Sequence, residues 1–394
     1  MQIYIELPED VKRIIKVFNK NGYEAYAVGG CIRDSIINRD VNDWDITTNA
    51  KPEIIMSLFE KTIPTGLKHG TITVIINNKQ YEVTTYRIEG EYLDNRHPSS
   101  VKFVNKIKLD LARRDFTINA MAYSGDNFVD YYEGISDLNN KIIRTVKDPY
   151  KRFSEDALRM MRAVRFATQL GFTIEDETRM AIINLADNIK NVSIERITDE
   201  FNKIILADIR GVVELKKLGI LNVFLPELDK ILGENFKKII EINNVERKLE
   251  VRLACLSCLD EGLSNIFKYM KYDKSTLKFI DFCIENINNE INDKYEIKRI
   301  LNRSSIKMFN EYIKVKQFID GNMHKKLTIF VNEIQDKDEC YSLKQLKISG
   351  NDLINLGISG KHIGIILNRL LDEVMKDELN NDKTVLINYA KLLI

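Results

Sequence analysis

The distribution of proline divides this sequence into two parts. The last of its six prolines is Pro226, and none of the 168 residues that follow is a proline. Because proline breaks helix interiors, a long stretch without it in which Leu and Ile recur every three or four residues indicates a series of helices. The first third instead contains β-rich runs at 23–28, 72–76 and 81–86. The sequence therefore predicts an α+β fold, with a mixed sheet and helices first and an all-helical remainder.

Composition describes an ordinary globular protein with room for more than one domain. The 394 residues are 44% hydrophobic and 30% charged, and no apolar run approaches the roughly 18 residues of a membrane span. We therefore expect no membrane association and a cytoplasmic location. The five cysteines are odd in number and sparse, which argues against a disulfide framework. With 59 Lys and Arg against 58 Asp and Glu, bulk charge supports no nucleic-acid partner, so any binding face must be local.

A pair of glycines follows the first β-rich run. Gly29 and Gly30 stand between this run and a helical pattern that contains Arg33. Backbone N–H groups at such a strand-to-helix turn suit a phosphate, and Arg33 adds a cation. The alternative is an ordinary turn, since turns use glycine for positive φ in any case.

Two aspartates lie a short distance further on. In an extended segment Asp43 and Asp45 point to the same side, and two unpaired carboxylates side by side favour a cation between them. Mg²⁺ is the natural occupant because it takes carboxylate and phosphate oxygens. Glu82, in another β-rich run, is a candidate to complete this site. The alternatives are a solvated turn of Asn and Asp at 40–45 and a Glu82 on the wet face of its strand.

Two further clusters carry arginines. Arg113 and Arg114 could clamp a phosphate, or Asp115 could pair with them at the surface. In the second cluster Ser154 is a candidate N-cap for a helix that would place Asp156, Arg159 and Arg162 on one outward stripe, opposite an apolar side. The plain alternative for that stripe is a set of ion pairs on a solvated helix.

The chemistry of nucleobases gives the second arginine cluster a specific interpretation. Cytosine and adenine both present an amino donor beside a ring-nitrogen acceptor on their pairing edges, whereas guanine and uracil present a carbonyl beside a ring N–H. An aspartate that accepts and an arginine that donates therefore fit C and A, with discrimination of about 1–3 kcal/mol per bidentate contact. Residues 141–165 carry eight basic and three acidic side chains, so the local charge also suits a polyanion.

Taken together, these clusters resemble the class II tRNA nucleotidyltransferases (CCA-adding enzymes) and their bacterial poly(A) polymerase relatives, in the polymerase β superfamily. The resemblance covers residues 23 to about 206, and the rest is similar only in being helical. The matching residues are Gly29-Gly30-x-Ile32-Arg33-Asp34, Asp43-x-Asp45, Arg113-Arg114-Asp115-Phe116-Thr117-x-Asn119-Ala120, Glu155-Asp156-x-x-Arg159-x-x-Arg162, residues 129–146, Glu195-Arg196-Ile197 and Glu200-Phe201-x-Lys203.

The resemblance implies a role for each of these site residues. It implies that Asp43 and Asp45 bind two Mg²⁺ ions; Glu82 remains a further catalytic candidate on its position in the strand alone. It also implies that Asp156 and Arg159 read the incoming base, in place of a nucleic-acid template. The residues implied to bind the nucleotide are Gly29, Gly30, Arg33, Arg114, Asp156, Arg159, Arg162 and Arg165.

The resemblance further implies addition of C, C and A to the 3′ end of tRNA from CTP and ATP, with release of pyrophosphate. It divides the chain into a polymerase β-like nucleotidyltransferase head at 1–145, a helical neck for base recognition at 146–206, a body at 207–305 and a tail at 306–394. The six basic residues of 301–330, against two acidic ones, are candidates to contact the tRNA backbone, although a solvated helix face explains them as well. The oligomeric state is not predicted.

Three alternatives to complete CCA addition stand beside this interpretation: addition of A only, poly(A) synthesis, and non-catalytic RNA binding on a decayed scaffold. Residues 66–74 resemble CCA-adding enzymes of Gram-positive bacteria, and a Gly-Arg-Arg-Phe stretch typical of poly(A) polymerases is not seen. Residues 87–109, which include Asp94 and Arg96, resemble the loop that CCA-adding enzymes need to switch from C to A. At 129–134 the sequence departs from the usual Asp-Pro-Phe-Gly-Gly of the family, because the proline and one of the two glycines are absent here.

Overall fold

The structure, a computed structural model, describes residues 3–90 and 100–393. It forms two compact units, Met1–Glu234 and Asn235–Ile394. The first unit contains a mixed sheet with helices and continues as helices, and the second unit is helical in its described part. The predicted α+β class with a helical remainder is confirmed, while the four-part division into head, neck, body and tail stays a prediction.

The first unit is built on a seven-stranded sheet with strand order β3-β4-β5-β2-β1-β8-β9. Neighbouring strands are antiparallel except for the central pair β2 and β5, which is parallel. A two-stranded ribbon of β6 and β7 and a short parallel pair of β10 and β11 complete the strands. The strands are β1 (Ala25–Val28), β2 (Ile46–Thr48), β3 (Thr62–Gly66), β4 (Thr71–Ile76), β5 (Lys79–Thr85), β6 (Arg87–Glu89), β7 (Val101–Phe103), β8 (Met121–Tyr123), β9 (Phe128–Asp130), β10 (Ile142–Ile143) and β11 (Thr173–Ile174).

The helices of the first unit cover the sheet and then continue the chain beyond it. Their apolar faces are buried, as in α1, where Val11, Ile14 and Phe18 are fully covered. The helices are α1 (Glu9–Lys20), α2 (Gly30–Ile36), α3 (Pro52–Leu58), α4 (Ile107–Ala112), α5 (Gly134–Asn139), α6 (Pro149–Glu155), α7 (Leu158–Leu170), α8 (Asp176–Leu185), α9 (Ile194–Ala207), α10 (Arg210–Lys217), α11 (Leu221–Phe224) and α12 (Pro226–Glu234).

The second unit has its own core, in which Leu353, Leu370 and Leu386 are fully buried. No helix in the described ranges is long and apolar enough to cross a membrane. The helices of this unit are α13 (Phe236–Glu241), α14 (Leu249–Leu259), α15 (Gly262–Tyr269), α16 (Lys274–Asn286), α17 (Lys294–Leu301), α18 (Ile306–Asp320), α19 (Lys325–Asp336), α20 (Gly350–Asn355), α21 (Lys361–Met375) and α22 (Lys383–Lys391).

The helix predicted to begin at Ser154 is two helices. Helix α6 starts after Asp148, whose carboxylate accepts from the backbone N–H of Tyr150 at 2.9 Å. It ends at Glu155, and the carboxylate of Asp156 accepts from the backbone N–H of Leu158 at 3.1 Å, where α7 begins. This local bond competes with helix continuation. The prediction that Ser154 is an N-cap and that Asp156 shares a helix stripe with Arg159 is therefore wrong.

The segment that departs from the family contains a strained residue. Glu133 has φ 60° and ψ 30°, a left-handed conformation that glycine adopts without penalty. Asp130 supports the turn, since its carboxylate accepts from the N–H groups of Gly134 and Ile135 at 2.9 Å each. Gly134 itself has no room for a side chain, because a Cβ there would lie 2.5 Å from the carbonyl oxygen of Thr117.

We expect Glu133→Gly to raise the free energy of unfolding by about 0.5–1 kcal/mol, because the left-handed strain is removed while some unfolded-state entropy is gained. The neighbouring variant Gly134→Ala should have the opposite effect and lower the free energy of unfolding by about 2 kcal/mol or more. Urea denaturation followed by the fluorescence of Trp44, the single tryptophan, measures both. A Glu133→Gly protein less stable than the original would show that the side chain of Glu133 makes a stabilising contact.

Candidate active site

The glycine pair lies where the interior strand β1 meets helix α2. Gly29 has φ 87°, a conformation that side-chain-bearing residues rarely adopt. A Cβ at Gly29 would lie 2.9 Å from Nη1 of Arg114. Gly29 is therefore required both by its backbone and by the close approach of a guanidinium.

Of the two adjacent arginines, only Arg114 is placed for a ligand. Arg113 donates from Nε to Asp110 at 3.0 Å and from Nη1 to Glu89 at 3.3 Å, so its role is structural. The Nε of Arg114 is buried and has no hydrogen-bond partner within the described part of the chain, while its Nη2 lies 3.8 Å from Oδ2 of Asp110. Burial lowers the pKa of Arg114, an effect that Asp110 opposes. A buried donor without a protein partner is costly, so this N–H suits an anionic ligand.

The two predicted acids lie immediately before strand β2 rather than within it, and both are exposed. The strand pairing continues through Asp45, whose carbonyl accepts from the N–H of Val28 at 2.9 Å. Because β2 and β5 pair in parallel with Ile46 opposite Val83, Asp45 lies beside Glu82. Glu82 is exposed, as the wet-face alternative anticipated, and on the side of the sheet that carries Asp45.

The electrostatics of these acids suit a cation. Reduced hydration by the surrounding protein raises the pKa of Asp45, and Glu82 and Asp43 raise it further, against the opposing effect of Arg114. Carboxylate oxygens that repel one another are the donors that a hard divalent cation prefers. No group of three or more His, Cys, Asp and Glu side chains in 3–90 and 100–393 is arranged to hold a metal. Asp43 and Asp45 therefore suit a cation that takes its remaining ligands from a substrate or from water. Among the described residues, Glu82 does not form a three-carboxylate metal site with them.

Arg33 is buried and fully engaged. Its Nε and Nη2 donate to the carboxylate of Asp34 at 2.9 and 2.8 Å, and its Nη1 donates to Oδ1 of Asn119 at 2.7 Å. Asn119 in turn donates to Asp115 at 3.2 Å. Asn119 thus connects the segment of the glycine pair with the segment that contains Arg113 and Arg114. In the sequence, Asn119 was noted only as part of a family motif, with no role assigned to it.

Asp115 connects this network to helix α7. Its Oδ2 accepts from Nε and Nη2 of Arg162 at 2.8 and 2.6 Å, and Arg162 also lies 3.8 Å from Glu200. Burial alone would raise the pKa of Asp115, but Arg162 holds it well below its usual range. Arg165, one turn further along, places its Nε 2.6 Å from Oε2 of Glu200. Asp115 therefore pairs with an arginine 47 residues away rather than with Arg113 or Arg114.

We expect Asp115→Asn to lower the free energy of unfolding by about 2–3 kcal/mol at pH 7, since it leaves Arg162 without its main counter-charge. The folded-state pKa of Asp115 is depressed, so its contribution is present above about pH 4 and is lost as the pH falls below that value. The difference between the two proteins should therefore shrink on acidification below about pH 4. Trp44 fluorescence in urea measures this, with Asp187→Asn, at an exposed site, as the control. A difference in the free energy of unfolding that stays constant down to pH 2 would contradict the depressed pKa of Asp115.

The predicted base-reading pair does not face an open space in this structure. Asp156 accepts from Nη1 and Nη2 of Arg196 at 3.2 and 2.8 Å. Arg159 is buried and donates to Glu155 at 2.7 Å and to the carbonyl oxygen of Arg113 at 3.3 Å. Each member of the pair is thus occupied by an intramolecular partner. Glu155 and Arg196 appear in the family motifs of the sequence, but no pattern there indicated which residues they would contact.

The segment 87–109, predicted to be the loop that switches addition from C to A, is described at its two ends. There β6 and β7 pair with Arg87 opposite Phe103. Residues 91–99, with Asp94 and Arg96, lie outside the described residues.

The basic residues of 301–330 are partly paired within the protein. Lys314 pairs with Glu311 at 2.9 Å, and two further lysines, Lys316 and Lys326, donate to backbone carbonyls. Half of the six basic residues are thus engaged within the protein.

Family models match most of the chain. Residues 25–144 match the poly(A) polymerase head domain, residues 171–232 match an RNA and SrmB-binding site of polymerase A, and residues 240–390 match tRNA nucleotidyltransferase domain 2. The first of these matches contains the glycine pair, the aspartates and Arg114.

Whole proteins match along their full length. The CCA-adding enzymes of Pediococcus pentosaceus and Staphylococcus haemolyticus are 37% and 36% identical to this chain, each with 98% of both chains covered. The crystal structure of the Bacillus stearothermophilus CCA-adding enzyme in complex with CTP superposes with a TM-score of 0.83 at 30% identity, covering 98% of this chain and 97% of that one. The match extends well beyond residues 23–206, to which the sequence resemblance was confined. The chain belongs to the CCA-adding enzyme family of tRNA nucleotidyltransferases.

Proposed function

We propose that this protein adds C, C and A to the 3′ end of tRNA, using CTP and ATP and no nucleic-acid template, with tRNA as its partner and the cytoplasm as its location. The observation that carries the proposal is the proximity of the exposed carboxylate of Asp45 both to Asp43 and to Arg114, whose buried Nε has no hydrogen-bond partner among the described residues. A cation-binding acid pair beside an anion-binding arginine matches the needs of a nucleoside triphosphate. The similarity to an enzyme solved with CTP supports the same substrate class.

Asp43 and Asp45 would hold Mg²⁺, which supplies activation of the tRNA 3′-hydroxyl and neutralisation of the triphosphate when it is bound. The chain itself orients the other groups. Arg114 donates to the phosphates, and Gly29 leaves room for this guanidinium beside the strand-to-helix turn. The 3′-hydroxyl oxygen attacks the α-phosphorus in line, and the bond to the β,γ-phosphates breaks so that pyrophosphate leaves.

Asp156 and Arg159 would select the base by exchanging partners. Arg196 is a donor to Asp156, and Glu155 is an acceptor from Arg159. The pairing edges of cytosine and adenine offer the same pattern, with an amino donor for Asp156 and a ring-nitrogen acceptor for Arg159. Guanine and uracil present the reverse pattern, so they would leave both side chains facing groups of the wrong kind.

We further propose that the head at 1–145 catalyses, the neck at 146–206 reads the base, and the body and tail at 207–305 and 306–394 serve the tRNA. Three basic residues of the 301–330 stretch, Arg303, Lys307 and Lys325, are the ones we expect to contact its backbone. Their replacement by alanine should weaken tRNA binding in a salt-dependent manner.

The experiment that separates complete CCA addition from its alternatives uses three tRNA transcripts: one that ends before the first C of the terminal CCA, one that ends after the first C, and one that ends after both C residues. With Mg²⁺ and labelled CTP or ATP, we expect C on the first two and A only on the third. An enzyme restricted to A would ignore the first two transcripts, and a poly(A) polymerase would extend any RNA with many A residues and no C. A protein that binds these transcripts but incorporates nothing would establish the non-catalytic alternative.

A further inference from the structure

One buried aromatic ring lies against three of the arginines assigned to nucleotide binding. Phe166 lies on α7 and is 5% exposed. The guanidinium carbons of Arg33, Arg162 and Arg165 lie 5.0, 5.3 and 4.1 Å from the centre of its ring. All three distances fall within the roughly 6 Å over which a cation is attracted to an aromatic face. Phe166 did not belong to any motif recognised in the sequence.

The same three arginines are each held at their N–H edges by a carboxylate. Arg33 pairs with Asp34 and Arg162 with Asp115, in contacts of 2.6–2.9 Å. Arg165 lies 2.6 Å from its own carboxylate, on Glu200 of α9. The three guanidiniums that contact the ring are thus each matched by a carboxylate.

The ring is itself fixed in place and closed to ligands. Phe116 contacts it edge-on, with ring centres 5.7 Å apart and planes at 81°, a favoured geometry for aromatic pairs. Because Phe166 is buried, no base can stack on it. Its effect on a substrate must therefore pass through the arginines.

A carboxylate and a phosphate compete for the same N–H donors of an arginine, whereas the face of a ring attracts the guanidinium plane without using those donors. When a triphosphate arrives, an arginine can leave its carboxylate and bind phosphate oxygens while it stays on the ring. The interaction with the ring is thus the one that can persist through the exchange and keep the guanidinium oriented.

We propose that Phe166 is a positioning residue that holds Arg33, Arg162 and Arg165 in the orientation that binds the incoming nucleoside triphosphate. The proposal rests on the proposed nucleotidyltransferase activity and adds to it a residue that the motifs quoted from the sequence do not include. Phe166 touches no reacting atom, and it acts on binding of the nucleotide rather than on the chemical step.

The test replaces Phe166 in the full-length protein with mono-, di- and trifluorophenylalanine, which keep the shape of the ring and progressively withdraw electron density from its face. We expect the KM for CTP and ATP to rise stepwise, by about 3- to 10-fold in total, as the attraction for the guanidiniums weakens. The KM for tRNA and kcat should hardly change. Phe18 receives the same series as a control, since this buried ring packs on Phe59 and has no cation above its face in the described residues.

A flat KM across the Phe166 series, or an equal rise in the Phe18 series, would overturn the positioning role. Phe166→Leu serves as a second variant, in which loss of the ring should raise the nucleotide KM beyond that of the trifluoro protein. If the unmodified protein incorporates neither CTP nor ATP, the proposed function fails instead. The two failures are therefore distinguishable.

Discussion

Asp43→Ala should lower the rate of CTP and ATP incorporation by about 10³-fold or more. The carboxylate pair is the cation site of the proposed mechanism, and loss of metal-assisted charge stabilisation costs several kcal/mol at about 1.4 kcal/mol per tenfold in rate. Because Asp43 is exposed, its removal should change the free energy of unfolding by no more than about 0.5 kcal/mol. Single-turnover incorporation on tRNA measures the rate, and urea denaturation measures the stability.

Asp40→Ala is the matched control, because Asp40 is an exposed aspartate three positions upstream. A second readout is independent of activity: Trp44 lies between the two acids, so Mg²⁺ binding should change its fluorescence in the original protein and in Asp40→Ala but not in Asp43→Ala. An Asp43→Ala protein with an unchanged rate and an unchanged Mg²⁺ titration would show that the metal assignment is wrong.

Asp156→Ala and Arg159→Ala should relax the choice of base, with discrimination against UTP and GTP falling by about 10- to 100-fold. Each variant removes one of the two contacts that cytosine or adenine would gain, so CTP and ATP bind less tightly. The same change removes an unfavourable contact with guanine or uracil, so GTP and UTP are rejected less strongly. Arg159→Ala does not leave Glu155 uncompensated, because Arg152 still donates to it at 2.7 Å. The measurement is kcat/KM for each of the four nucleotides on tRNA ending in CC.

The control for base selection is Asp199→Ala, which removes an exposed acid of α9 whose partner is Lys203 at 2.5 Å. Its nucleotide preference should equal that of the original protein. If Asp156→Ala and Arg159→Ala slow every nucleotide equally and keep the preference for A, both residues serve the structure of the neck rather than the reading of the base.

Local patterns in the sequence predicted the secondary-structure class well because they are set by local chemistry. The β-rich runs at 72–76 and 81–86 are one case, since they form β4 and β5 and are joined by Asn77 and Asn78, which both have the positive φ that a tight hairpin requires. The helical remainder is another, since the absence of proline and the 3.6-residue period are both readable from the chain. The apolar side predicted near α7 is likewise buried, with Ala157, Met161 and Val164 fully covered.

Breaks between helices and pairings between distant residues were less accessible from the sequence. The 3.6-residue period runs through Glu155 and Leu158 without interruption, so only the bond from the backbone of Leu158 to the carboxylate of Asp156 reveals the junction. Likewise an acid such as Asp115 has several arginines near it in sequence, and its choice of Arg162 depends on how α7 packs. A charged side chain can pair with any opposite charge within reach, and the packing of the folded chain determines which pair forms.

The central claim, that the protein alone specifies C, C and A, is tested most directly by intact mass spectrometry of a tRNA transcript that lacks these three residues. The transcript is incubated with the protein, Mg²⁺ and all four nucleoside triphosphates, with no other nucleic acid present. The account predicts one final product, heavier by two cytidylate residues and one adenylate residue, on which addition stops. A ladder of added A residues, incorporation of G or U, or no added mass would contradict it.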